Sequence, residues 1–127
     1  MLRKIMAACF SLAALDALAA PNAPWSAVEP ADRSETRQEF PPAITRIDGE
    51  STRNPLESHA LAPGPHKVTI RFETARVQQS AAETTRELDL AVEPCMRYRI
   101  AARRTQGTSW EPKIYPEKIG ECARKFK

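Results

Sequence analysis

Glycine is scarce, with 4 residues in a chain of 127. No Gly-rich loop is present to cradle a phosphate, and no G-x-S-x-G elbow to raise a nucleophilic serine. Histidine stands at 2 and cysteine at 3. Two late cysteines without a neighbouring Cys or His make a poor zinc set, and no cofactor is implied. Charge of one sign is not in excess, since the net charge is +3. Acidic residues dilute the basic ones, so no nucleic-acid partner is expected. Aromatic residues make up only 6% of the chain. No internal repeat of solenoid length occurs. Proline, by contrast, is frequent at 11 residues. That balance favours a short-stranded or loop-rich fold over a helical one. The length suits one domain with a small core, which a covalent staple would help to hold.

The first residues read as a processing signal. Arg3 and Lys4 form a basic start, and Ile5 to Leu15 is an apolar run too short to cross a bilayer. Ala17-Leu18-Ala19 supplies small residues for cleavage after Ala19, with Ala20 the alternative. A retained anchor helix is the competing reading, and Asp16 interrupts its apolar run. The expected result is a periplasmic or secreted bacterial protein with no stable membrane insertion after residues 1–19 are removed. Cys9 leaves with the signal, so Cys95 and Cys122 remain. A cysteine pair in an oxidising compartment is most simply a disulfide.

Residues 20–42 carry Pro21, Pro24, Pro30, Pro41 and Pro42 among mixed charges. Such composition predicts a disordered Pro-rich tether, with a weak helix over Ala31 to Glu39 and Trp25 either docked or exposed. An antiparallel β domain is expected over 43–123, with a frayed basic tail at 124–127. Ala43 to Ile47 reads as a first strand closed by the Asp48-Gly49 turn. Glu57 to Leu61 reads as a short strand, and Pro63-Gly64-Pro65 as a chain reversal.

Alternation is clearest after that reversal. Val68, Ile70 and Phe72 point one way, and Lys67, Thr69, Arg71 and Glu73 the other. Ala75 to Glu83 lacks period-two alternation and reads as a loop, with room for a helical turn. Thr84 to Val92 turns Leu88, Leu90 and Val92 inward. After Pro94 and Cys95, the residues Met96, Tyr98, Ile100 and Ala102 turn inward in their strand. So short a link predicts an antiparallel hairpin between these two strands. Trp110 to Tyr115 is a last strand, placed at an edge by Pro112. The fold class is all-β: a small antiparallel sandwich or partly open barrel.

The motifs Ile47-Asp48-Gly49, Leu61 to Val68, Cys95 to Ala102 and Trp110-Glu111-Pro112 together resemble small exported bacterial domains of uncharacterised function. These are similar in turn to PEGA-type and transthyretin-like β-sandwich modules. The resemblance covers roughly Ala43 to Cys122. It implies a fold and no catalytic residue. PEGA-like modules generally lack a cysteine pair, so Cys95 and Cys122 depart from that pattern.

Two constellations stand out. Arg71, Arg97, Arg99 and Arg103 lie on outward faces of strands expected to share a sheet. One reading is a wet face of cross-strand charge pairs, the default for antiparallel sheets. The other is an anion- or partner-binding surface with Trp110 as aromatic anchor. His59 and His66 flank the Pro63–Pro65 reversal, and with Asp48 or Glu50 are weak metal candidates. The function expected is a non-enzymatic structural or interaction module of the cell envelope, with an unknown envelope protein as partner. The alternatives are a small-ligand or metal-binding protein, or an inhibitor of a periplasmic enzyme.

Overall fold

The computed structural model describes residues 23–74 and 80–126. The expected signal peptide, 1–19, lies outside them. Among the described residues nine strands run in chain order: β1 Ser26–Pro30, β2 Glu39–Phe40, β3 Ala43–Ile47, β4 Glu50–Ser51, β5 His59–Leu61, β6 Gly64–Arg71, β7 Thr85–Val92, β8 Met96–Arg104 and β9 Trp110–Lys118. Two short helices, α1 Ala81–Thr84 and α2 Gly120–Lys125, are described with them. The fold is all-β, in two sheets.

The first sheet centres on β8. Its one side carries β1 in parallel and then β2, β9 lies antiparallel along it, and β5 pairs with the far side of β1. The second sheet has the order β4-β3-β6-β7, antiparallel throughout. Val28, Leu61, Tyr98, Ile100, Ala102 and Trp110 from the first sheet meet Ile44, Val68, Ile70, Leu90 and Val92 from the second in one core. A sandwich follows because each strand has only one apolar face to hide. The inward sets expected for β6, β7 and β8 are the ones found there.

The tether expected over 20–42 is corrected from Ser26 onward, and residues 20–22 lie outside the described part. β1 is an interior strand, held by β5 on one side and β8 on the other. Val28 is fully buried, and so is Ser26. The Ser26 hydroxyl donates to the Glu93 carbonyl at 2.5 Å and accepts the Met96 N–H at 3.1 Å. A buried polar residue therefore takes an apolar position because two backbone groups need it. No helix forms over 31–39. Ser34 and Glu39 instead pair across a tight turn, with Gln38 at φ 56°.

The expected hairpin between β7 and β8 is also corrected. β7 pairs with β6, while β8 belongs to the opposite sheet. Pro94 has no N–H to close a turn. The neighbouring donors are taken elsewhere: the Glu93 N–H by the Tyr98 hydroxyl, the Cys95 N–H by the Trp25 carbonyl. Cys95 adopts φ 59° to make the crossing. The Pro63–Pro65 reversal likewise passes between sheets, from β5 to β6, with Gly64 at φ 126°. Asp48-Gly49 does make the expected tight hairpin, at φ 52° and 85°.

Cys95 and Cys122 stand at disulfide distance, their Cα atoms 5.3 Å apart. Around them Ile119, Trp25 and Phe126 build a second small core. The expected frayed tail is thus corrected as far as Phe126. α2 runs to Lys125, and the Phe126 ring meets Trp25 edge-on at 6.0 Å. Trp25 is docked.

Candidate functional site

The arginine face forms from β1, β8 and β9. Successive odd residues of β8 put Arg97 and Arg99 on the outer side of the first sheet. Glu29 enters from β1, whose register sets it opposite Arg99. Glu117 enters from β9, opposite Arg97. Arg97 lies 3.4 Å from Glu29 and 3.1 Å from Glu117, and Arg99 lies 3.2 Å and 3.9 Å from the same carboxylates. The Arg99 Nε–H is not aimed along a hydrogen bond, so its contact with Glu29 is one of charge. Two arginines and two glutamates thus interlock across three strands.

The other residues proposed for that face are dispersed. Arg103 continues the row on β8, opposite Glu39 and Glu111. Arg71 is on β6 in the opposite sheet, 2.9 Å from Glu73, which corrects the expectation of one shared sheet. Trp110 is 4% exposed. Its ring packs edge-on to Phe72 and under the Arg86 guanidinium, and its Nε1–H donates to the Glu83 carbonyl at 2.9 Å. It is a core residue and not a docking anchor.

A second polar cluster was not legible in the sequence. Glu39 is 3% exposed, and its carboxylate accepts the Tyr115 hydroxyl at 2.5 Å. That hydrogen bond raises the Tyr115 hydroxyl above the usual phenol range, with desolvation and the Glu39 charge adding to it. A groove over the pair is lined by Arg33, Ser34, Arg37, Arg99, Tyr115 and Glu117. Its alternating charges make it close to self-neutralising. Glu29 and Glu39 both sit in the stretch read as a tether. The one available signal, Glu29 alternating with the inward Val28, concerns Glu29 alone, and Glu39 carries none.

The third cluster joins the Asp48-Gly49 turn to the start of β6. Asp48 accepts the Lys67 N–H at 2.8 Å through one carboxylate oxygen and faces His66 Nδ1 at 2.7 Å through the other. The Lys67 backbone bond, then His66, holds the Asp48 carboxyl below its usual range. His66 Nε2 lies 2.7 Å from the Ala62 carbonyl. Positive φ at Asp48 aims its short side chain back across the strand pair. His59 and His66 share one depression of about 520 Å³. Both nitrogens of His66 are engaged within the fold, whereas His59 Nε2 is buried with no protein partner. Among the described residues no group of three His, Cys, Asp or Glu side chains is arranged to hold a metal ion.

The chain matches no protein-family model, no curated protein and no solved structure.

Proposed function

We propose that this chain is an exported, non-enzymatic structural or interaction module of the bacterial cell envelope. The observation that carries the reading is the Asp48–His66 pair. A carboxylate beside an imidazole is the arrangement here closest to general acid–base chemistry. Its atoms join the β3–β4 turn, the β6 backbone and the Ala62 carbonyl to one another. The Arg97/Arg99 network and the Glu39–Tyr115 pair are likewise engaged in tying strand to strand.

Export by a leader cleaved after Ala19 belongs to the same proposal. The Cys95–Cys122 pair is compatible with an oxidising compartment. No helix among the described residues is long and apolar enough to cross a membrane. Kinship with PEGA-type and transthyretin-like modules is proposed on the turn and strand motifs that suggest it.

Affinity capture from envelope extract with the mature chain tests the function. A supporting result is a protein that binds the purified chain with a saturable isotherm. No partner across several extract conditions, or turnover of a small substrate by the purified chain, contradicts it.

A further inference from the structure

The sandwich has two long strands at its rim, and they are unlike. β9 has nine residues and β7 has eight. The Trp110 ring beneath Arg86 shows that the two lie on the same side of the molecule, one in each sheet.

The direction of each backbone group follows from the register. Cys95 and Ile119 extend the β8–β9 ladder, with the Ile119 N–H on the Cys95 carbonyl. Odd residues of β9 therefore bond to β8, and even ones face outward. Pro112 and Pro116 fall in the outward set, opposite Ala102 and Tyr98. Two of the donors on that rim are thus missing, a known protection of exposed edges. On β7 the Phe72 N–H bonds to the Thr84 carbonyl. The ladder then runs through Arg86, Leu88, Leu90 and Val92, and the outward edge carries Thr85, Glu87, Asp89 and Ala91, with the Thr85 carbonyl taken by the Arg86 guanidinium. Pro65 opposite Ala91 fits this phase, since proline can stand only where no ladder donor is needed. β7 itself contains no proline, and among the described residues β6 is its only strand partner.

The geometry points to β7 as an acceptor edge for an extended segment of another protein, with basic and apolar residues in alternation. This deepens the proposed function and rests on it. The free-edge residues turn Glu87 and Asp89 to the outer face. Among the described residues Glu87 forms an ion pair only with Lys67, 3.6 Å away with both side chains more than half exposed, and Asp89 forms none. Arg86 is held by the carbonyls of Ala82 and Thr85. A paired strand would place every second residue beside Glu87 and Asp89, and the intervening ones beside Leu88 and Leu90. Lysine or arginine suits the first set and aliphatic residues the second. A second copy of this chain is excluded by its own charges. Two-fold antiparallel pairing of β7 with β7 in register sets Glu87 against Glu87 or Asp89.

Nuclear magnetic resonance titration of the mature chain with an alternating Lys–Val peptide tests the assignment. The amides of Thr85, Glu87, Asp89 and Ala91 should shift and gain protection from exchange, while an alternating Glu–Val peptide leaves them unmoved. Ala91→Pro removes one outward donor and spares the β6 ladder, so affinity should fall about tenfold or more. Asp89→Lys removes charge complementarity without touching the backbone, and should weaken the Lys–Val peptide equally. Shifts confined to β9 or the arginine face, binding indifferent to both variants, or self-association through β7 would each overturn the proposal. An envelope partner that binds both variants like the parent chain overturns the edge assignment alone. Peptide capture at β7 without any envelope partner overturns the module reading alone.

Discussion

The Ser26 hydroxyl lies 2.5 Å from the carbonyl oxygen of Glu93, 67 residues further along the chain. It also receives the Met96 N–H. One serine therefore satisfies both ends of the crossing between the two sheets. Ser26→Ala leaves two partly buried backbone groups without their partner, which should cost ~1 kcal/mol. Urea unfolding of the variant measures it. A loss within error of zero would mean that the N-terminal strand is not docked as described.

The cysteine pair makes a sharper expectation. Cys95 and Cys122 are 27 residues apart. Bridging a loop of that length stabilises by ~3–4 kcal/mol on the chain-entropy account. Cys95→Ser and Cys122→Ser should each lose that amount, and the double variant no more than either. Additive losses would show that the two do not pair. Thermal unfolding of the three variants under oxidising conditions decides the matter.

The interlocked arginines should contribute little to stability. Arg97 and Glu117 are respectively about one-third and one-half exposed. Pairs this wet are worth ~0.2–1 kcal/mol. A double-mutant cycle on Arg97→Met and Glu117→Gln should give a coupling in that range, fading at high salt. A larger coupling that survives salt would mark the face as desolvated and built for something else.

Legibility followed side-chain chemistry strand by strand. β6, β7 and β8 could be read because Val68, Ile70, Leu90, Val92 and Ile100 alternate with charged residues. β1 could not, because its inward set is Ser26, Val28 and Pro30, with a single aliphatic residue. Alternation also says nothing about which sheet a strand joins. The crossings at Pro63–Pro65 and Pro94–Cys95 depend on donors taken by distant groups, the Tyr98 hydroxyl and the Trp25 carbonyl among them. Cys95 and Cys122 were legible as a pair because the expected cleavage after Ala19 would leave only those two. Of the arginines, Arg97 and Arg99 were placed on the right face. Their partners were not, since Glu29 sat in a stretch read as tether. Trp110 misled because an aromatic at the head of an edge strand looks exposed in sequence, whereas it turns inward onto Phe72.

Asp48 and His66 fasten the β3–β4 turn to the start of β6. Asp48 is held below its usual carboxyl range by the Lys67 N–H and His66. A depressed folded value means stability that is present above the unfolded value, ordinarily about 3.9, and is lost as pH falls through the folded one. The most direct measurement is the urea midpoint of the parent chain and of Asp48→Asn, followed from about pH 6 down to about pH 2. The parent should be the more stable at the upper end, and the two curves should converge as the acid limit is approached. Parallel curves with no gap at the upper end would contradict the fastening role.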